Sequence, residues 1–311
     1  MNVEILLATY NGEKFVEAQL ASIAEQSFAD FKVLISDGGS TDRTKEILTK
    51  WAEKDPRFHL LPPGGRLGVQ ANFSRLMEAS TGDYLFFSDQ DDVWKKDKIA
   101  LFLQNFQQLE EEKGKETPIL IHSDLEVVDE DLKQISPSFW QFIHLDLENG
   151  NRFSRLLLQN IVTGAACAIN RPLLELAKPI PLEAVMHDWW IALAANSFGV
   201  IKSLPETTVL YRQHGKNTIG AKPYFSLRLV KFALSLLLKG PDLEKAKRYS
   251  AQVEAFSTRY QSKFTPEQKN ILKGYQALSL ASPLKRISLA KQHHFYHSGR
   301  LRNIAFLLFS R

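Results

Sequence analysis

Val3-Glu4-Ile5-Leu6-Leu7-Ala8-Thr9 is a short, mostly apolar run that breaks into the turn signal Tyr10-Asn11-Gly12 and then into a helical pattern through about residue 26. The unit repeats. Phe31 to Ser36 reads as a strand, Asp37-Gly38-Gly39-Ser40-Thr41-Asp42 as a loop, and about 42 to 54 as a helix with Thr41 or Asp42 as its candidate cap. Further strands are predicted near 57 to 61 and at Asp83 to Ser88. Strands alternating with helices at this spacing predict an α/β fold with a parallel sheet covered on both faces, and such sheets bind ligands beyond the carboxyl ends of their strands.

One strand end carries distinctive chemistry. In Leu85-Phe86-Phe87-Ser88-Asp89-Gln90-Asp91-Asp92-Val93-Trp94 an apolar run stops at three carboxylates within four residues. Such neighbours repel one another, and a divalent cation with hard oxygen ligands relieves the repulsion; a solvated acidic turn is the plainer alternative. No Gly-x-Gly-x-x-Gly follows the first strand and no Walker Gly-Lys-Ser/Thr occurs, so neither a dinucleotide fold nor an ATPase is indicated.

Ala8-Thr9-Tyr10-Asn11, Ser36-Asp37-Gly38-Gly39-Ser40-Thr41-Asp42 and Asp89-Gln90-Asp91-Asp92, in this order at strand ends, resemble the nucleotide-sugar half of family 2 glycosyltransferases with the GT-A fold, over roughly residues 1 to 220. The resemblance implies that Ala8, Thr9, Tyr10, Asn11 and Asp37 hold the nucleoside, with Asp37 accepting from the pyrimidine imide. It places Asp89 and Gln90 toward the ribose, and Asp91 on a Mn2+ or Mg2+ that neutralises the diphosphate leaving group. Leu67-Gly68-Val69-Gln70-Ala71-Asn72-Phe73 resembles the segment that approaches the donor: Gly68 would permit close backbone passage and Asn72 would reach ribose or base, unless they are simply a loop glycine and a helix residue.

Thr163-Gly164, opening a run of small residues through Asn170, resembles the family's acceptor-side turn; Cys167 within it reads as core. In His187-Asp188-Trp189-Trp190 the resemblance makes Asp188 the base that deprotonates the acceptor hydroxyl, where many relatives carry Glu-Asp. His187, Trp189 and Trp190 are acceptor-side candidates, one tryptophan as a stacking platform and the other as core. Tyr211-Arg212-Gln213-His214-Gly215-Lys216 resembles the segment that completes the metal or diphosphate site, with His214 as a metal ligand and Arg212 and Lys216 as phosphate partners. A base on one side and a metal-held leaving group on the other imply inversion, and no closely spaced carboxyl pair argues for a retaining glycosidase.

The C-terminal part differs in charge. Residues 221–311 hold 17 Lys and Arg against 4 Asp and Glu, a balance of +13, while the preceding residues stand at −9 with 22 against 31. An anionic partner is implied. Ser226 to Lys239 sets polar residues 228, 231, 235 and 239 at helical spacing among apolar ones, too short to span a bilayer, and Arg300 to Arg311 repeats the theme. These segments predict interfacial helices on an anionic membrane, or packing against the catalytic domain or a second subunit in a homo-oligomer. Tyr249, Tyr260 and Tyr275 are too scattered to indicate nucleic acid. His293, His294 and His297 cluster without a carboxylate or thiol partner and read as surface.

With 311 residues, 44% of them apolar, and a single cysteine, the chain can bury a sizeable core without disulfides; it enters a strand at once with no signal-peptide pattern, which predicts the cytoplasmic face of a bacterial membrane. The expected organisation is a catalytic domain over 1–220 and a basic helical region over 221–311. The string Ser-Asp-Gln-Asp-Asp-Val-Trp, with Tyr-Arg-Gln-His-Gly and His-Asp-Trp-Trp, is most similar to the family's rhamnosyltransferases. That implies transfer of L-rhamnose from dTDP-L-rhamnose to a lipid-linked or polymeric surface glycan. A UDP-hexose or UDP-N-acetylhexosamine transferase shares these motifs, and a non-catalytic sugar-binding scaffold would be expected to lose Asp188 or Asp91.

Overall fold

A computed structural model describes residues 1–215, 220, 243–278 and 281–309. The segment 226 to 239 and Lys216 lie outside the described residues, as do Ser310 and Arg311. The chain divides into two compact units: residues 1–139, 162–180 and 198–221 form the first, and 140–161, 181–197 and 222–311 the second.

The first unit is built on one sheet of nine strands among the described residues: β1 (Val3–Thr9), β2 (Phe31–Asp37), β3 (Phe58–Leu60), β4 (Tyr84–Ser88), β5 (Val93–Trp94), β6 (Ile119–Val128), β7 (Gln134–Ser136), β8 (Cys167–Asn170) and β9 (Val200–Arg212), in the order β3-β2-β1-β4-β8-β6-β9-β5 with β7 on β6. Strands β3, β2, β1 and β4 are mutually parallel, as alternation with helices predicts. The far half is mixed, since β8 runs antiparallel to both β4 and β6.

Every residue of β1 is buried, so the strand is covered on both faces. Val3, Ile5 and Leu7 point to one core, which they share with Val16, Leu20 and Ile23 of α1 (Val16–Ala24), Leu48 and Trp51 of α2 (Thr44–Lys54), and Phe102 and Phe106 of α4 (Lys98–Lys113). On the other face α3 (Val69–Ala79) lies along β1 and β2, and its Phe73 meets Phe87 of β4 edge to face with centroids 5.8 Å apart. Helix α1 begins only at Val16, because the chain first turns through Gly12, whose carbonyl accepts from the N–H groups of Phe15 and Val16. Helix α2 has Arg43 at its N-cap; Asp42, one residue earlier, accepts from the Thr44 N–H at 3.0 Å.

Three short helices, α5 (Phe139–Phe142), α6 (Leu147–Gly150) and α7 (Phe153–Leu156), precede β8, and α8 (Arg171–Ala177) follows it; Asn170 caps α8 by accepting from Leu173 N–H. The second unit also holds most of α9 (His187–Phe198), then α10 (Leu243–Tyr260), α11 (Pro266–Leu278), α12 (Pro283–His293) and α13 (Arg300–Phe309). Its core is aromatic: Trp190 packs on Phe256 at 5.3 Å and Tyr260 at 6.1 Å, with the Arg259 guanidinium 4.8 Å from the indole centroid. The histidine cluster expected on the surface is not uniformly there. His293 is buried against Phe295, and burial together with nearby Arg302 and Lys245 pushes His297 down to about 4; only His294 is exposed. No described helix is long and apolar enough to cross a membrane.

Candidate active site

At the carboxyl ends of β1 and β2 the two loops lock together. Asn11, in the left-handed region at φ 48, donates its N–H to Ser40 Oγ at 2.8 Å and accepts from Thr41 N–H at 2.8 Å. Asp37 organises the second loop: Oδ1 accepts from the N–H groups of Gly39 at 3.1 Å and Ser40 at 2.8 Å, and Oδ2 from the hydroxyls of Thr9 at 3.0 Å and Ser40. A carboxylate has about four acceptor sites, so the chain itself occupies them. Gly39 stands at φ 90, a conformation that favours glycine. Ala8 and Thr9 are buried and Tyr10 is exposed.

The acidic loop is joined to these. Gln90 accepts from Tyr10 N–H through Oε1 and donates to Tyr10 O through Nε2, both at 2.8 Å. A β-carbon on Gly12 would lie 2.2 Å from Gln90 Oε1, so glycine is what lets the amide dock. Asn72 is buried in α3, donating to Ser36 O at 2.8 Å and Thr9 O at 3.4 Å, while its Oδ1 has no partner. Its amide therefore ties two strand ends together. A β-carbon on Gly68, the N-cap of α3, would meet open space, so no contact within the chain demands glycine there.

Sheet register explains how residues more than a hundred positions apart converge. Strand β5 pairs antiparallel with β9, Val93 opposite Leu210 and Trp94 opposite Val209. Running that ladder on by two residues brings Asp91 level with Arg212. Arg212 N–H donates to Asp92 Oδ1 at 3.0 Å, its Nε donates to Asp91 O at 2.8 Å, and its Nη1 donates to Glu130 O. Just beyond, His214 Nε2 lies 2.8 Å from Asp91 Oδ2. Phe15 stacks on His214 with centroids 4.7 Å apart at 29°, and the Arg212 guanidinium sits 4.8 Å from the same ring. The sequence flagged Asp91, Arg212 and His214 but gave no role to Phe15, which reads as an ordinary apolar residue of the first helical pattern.

Burial, then the charges of Asp91 and Asp89, push the Asp92 carboxyl well above its ordinary range. Nearby, Lys98 is wholly buried and pushed down to about 7 by that burial, donating to Ala165 O at 2.6 Å and lying 3.7 Å from the Trp94 ring centroid. It thereby fixes the Thr163-Gly164 turn, which is a short 3-10 turn over Gly164–Ala166 leading into β8; Cys167 is buried there.

The donor set fits a divalent cation. Two cis ligands of an octahedral ion, each about 2.1 Å from it, stand about 3 Å apart, close to the separation of Asp91 Oδ2 and His214 Nε2. No group of three or more His, Cys, Asp or Glu able to hold a metal occurs among the described residues. Mg2+ is commonly held by one or two carboxylates with phosphate and water oxygens completing its shell, so a site with few protein ligands suffices.

The second unit carries the other candidates. His187 and Asp188 open α9; Asp188 is mostly buried, and burial pushes His187 down to about 3. Neither tryptophan offers the expected stacking platform. Trp189 is buried, donating through Nε1 to Leu156 O at 2.7 Å and meeting Tyr249 edge to face at 4.8 Å, and Trp190 is at the centre of the aromatic core.

A sheet of this topology, with clustered motifs at its strand ends, is the fold of GT-A glycosyltransferase structures. The profile of Glycosyl transferase family 2 matches residues 4–112. It is 29% identical over 243 residues to the dTDP-rhamnosyl transferase RfbG of Shigella flexneri, covering 73% of this chain and 78% of that one. Among solved structures it is similar to S. aureus TarS 1–349 in complex with UDP-GlcNAc (TM-score 0.51, 19% identity, 94% of this chain and 80% of that one). It also resembles the mannosyltransferase PcManGT of Pyrobaculum calidifontis in complex with GDP-Man and Mn2+ (TM-score 0.50, 17% identity, 98% and 85%).

Proposed function

We propose that the chain is an inverting, metal-dependent rhamnosyltransferase that transfers L-rhamnose from dTDP-L-rhamnose to a hydroxyl of a lipid-linked or polymeric bacterial surface glycan. The observation that carries the metal-dependent reading is the Asp91–His214 pair at 2.8 Å, set beside the loops joined by Gln90. The donor sugar is supported by the similarity to the Shigella dTDP-rhamnosyl transferase.

In this reading Asp91 and His214 hold Mn2+ or Mg2+, which supplies Lewis-acid neutralisation of the diphosphate leaving group. Ala8, Thr9, Tyr10, Asn11 and Asp37 form the nucleoside side. For a pyrimidine imide to donate to Asp37, one of its four present donors must yield, and the Ser40 hydroxyl is the one free to rotate. Asp89 and Gln90 face the ribose, and Arg212, fixed by the carbonyls of Asp91 and Glu130, sets the acidic loop and contributes positive charge toward the phosphates. Asp188 accepts the proton of the acceptor hydroxyl as that oxygen bonds the anomeric carbon from the face opposite the diphosphate, whose bond to the sugar breaks and which leaves as dTDP; this single displacement inverts the anomeric centre. The basic balance of residues 221–311 supports residence on an anionic membrane surface at its cytoplasmic side, within reach of a lipid-linked acceptor.

The test is a transfer assay with dTDP-L-rhamnose, UDP-glucose, UDP-galactose and UDP-N-acetylglucosamine against a lipid-linked acceptor. Turnover confined to the rhamnose donor supports the assignment. Turnover with a UDP-sugar alone overturns the sugar, and none with any donor favours a binding scaffold.

A further inference from the structure

The second unit contains a pocket of about 340 Å³ that the donor chemistry does not use. It lies between the segment preceding α6 and the turn leading into α13, and its lining includes His144, Asp146, Arg155, Tyr296, His297 and Asn303. Its volume falls at the lower end of the ~300–1,000 Å³ typical of small-molecule sites, room for about one or two pyranose rings.

The lining is polar and planar yet electrically balanced. Arg155 Nη1 donates to Asp146 Oδ2 at 2.6 Å, so the guanidinium is already neutralised. Burial alone would raise the Asp146 carboxyl, but hydrogen bonds from Asn149 and Arg155 hold it below its ordinary value, and it stays ionised. His297, down at about 4, is neutral at physiological pH. A phosphate entering this pocket would meet the Asp146 carboxylate and a guanidinium already paired with it, Arg302 and Lys245 being the cations near His297. A hydroxyl-rich neutral ligand would meet acceptors on Asp146, the Arg155 guanidinium and an aromatic ring on Tyr296, above which Arg155 lies at 5.8 Å.

The walls are also built before any ligand arrives. Asn303 accepts from His297 N–H at 2.6 Å and donates to the carbonyls of His297 at 2.9 Å and Gly299 at 3.2 Å. Ser298 accepts from Asp146 N–H at 3.1 Å and donates its own N–H to Gln159 at 2.8 Å. His144 is held at φ 57, the left-handed region where a residue other than glycine is strained and where such strain clusters at ligand sites.

We propose that this pocket is a carbohydrate subsite that takes a neutral sugar ring through Asp146, Arg155 and Tyr296. Binding there needs neither donor nor metal, so it stands or falls independently of the transferase reading.

Saturation-transfer-difference NMR on the full chain, with methyl α-L-rhamnopyranoside, methyl α-D-glucopyranoside and short oligosaccharides of either sugar as probes, tests it. The expected result is saturation of at least one probe, unchanged in Asp91→Ala and weakened about tenfold, or ~1.4 kcal/mol, in Tyr296→Ala. His144→Gly, which removes the side chain while relieving the backbone, should weaken it in the same direction and decides the matter if Tyr296→Ala melts early. No transfer to any probe, binding indifferent to both substitutions, or displacement of the sugar by inorganic phosphate would each overturn the proposal.

Discussion

Replacing Phe15 by alanine removes a ring that touches two side chains of the proposed metal and diphosphate site at once. Its stack on His214 at 4.7 Å is of the kind worth ~0.5–1.5 kcal/mol. Its contact with the Arg212 guanidinium at 4.8 Å adds roughly 0.5–1 kcal/mol. Arg212 should hold its place without the ring, because Asp92, Asp91 O and Glu130 O still anchor it. His214 stacks directly on the ring while its Nε2 lies 2.8 Å from Asp91 Oδ2, so losing the stack acts on the imidazole itself. Most of the loss should therefore fall on the imidazole, and about 1 kcal/mol there corresponds to roughly five- to tenfold weaker metal binding. Phe15 is only half-buried, so global stability should change little. Titration of Mn2+ by electron paramagnetic resonance in the presence of a nucleoside diphosphate reads the effect directly. Phe15→Tyr, which keeps the ring, should bind Mn2+ as the parent does. Parent-like affinity in Phe15→Ala would refute the claim that the ring positions the histidine.

Gly12→Ala should push Gln90 away from Tyr10, since the new methyl would lie 2.2 Å from its Oε1; loss of the two amide bonds costs about 1–3 kcal/mol, and an unshifted thermal melt would contradict the docking role. Asp188→Asn should leave donor binding intact while transfer falls by about 10²–10⁴-fold, whereas weakened donor binding in that variant would make Asp188 structural. Burial holds His122 down to about 3 in the folded chain against about 6.5 unfolded. The unfolded chain then binds more protons between those values, so this histidine's share of stability is intact above about pH 6.5 and is lost as pH falls, by up to ~1.4 kcal/mol per pH unit. Denaturant melts of the parent and His122→Gln between about pH 7 and 5 should diverge in slope by that amount; parallel curves would show that His122 does not titrate as assigned.

The parallel half of the sheet was legible because β1, β2 and β4 are mostly apolar runs ending in Asn, Gly and Asp turns, as the buried strands of a parallel sheet read. The convergence of Asp91 with His214 was legible only through the resemblance, since nothing in local spacing announces that β5 will pair with β9. The mixed half was less legible. Strand β6 mixes apolar residues with buried His122, Ser123 and Asp124, which bond non-local partners such as Ser203, Thr208 and Ser138, so its hydropathy underreports its burial. One of Trp189 and Trp190 is expected as core and the other as a sugar platform; the platform fails because the aromatic core that covers both comes from α10, far along the chain. Phe15 and the pocket beside α13 depend on side chains meeting across long separations, which periodicity does not encode.

The most direct test of the central claim is calorimetric titration of dTDP-L-rhamnose into the full chain with Mn2+ and with EDTA, alongside Asp91→Ala. Binding that requires Mn2+ in the parent and vanishes in Asp91→Ala is the predicted result. Equal binding with EDTA, or unchanged Mn2+-dependent binding in Asp91→Ala, would contradict the assignment of Asp91 and His214 as the metal-bearing pair.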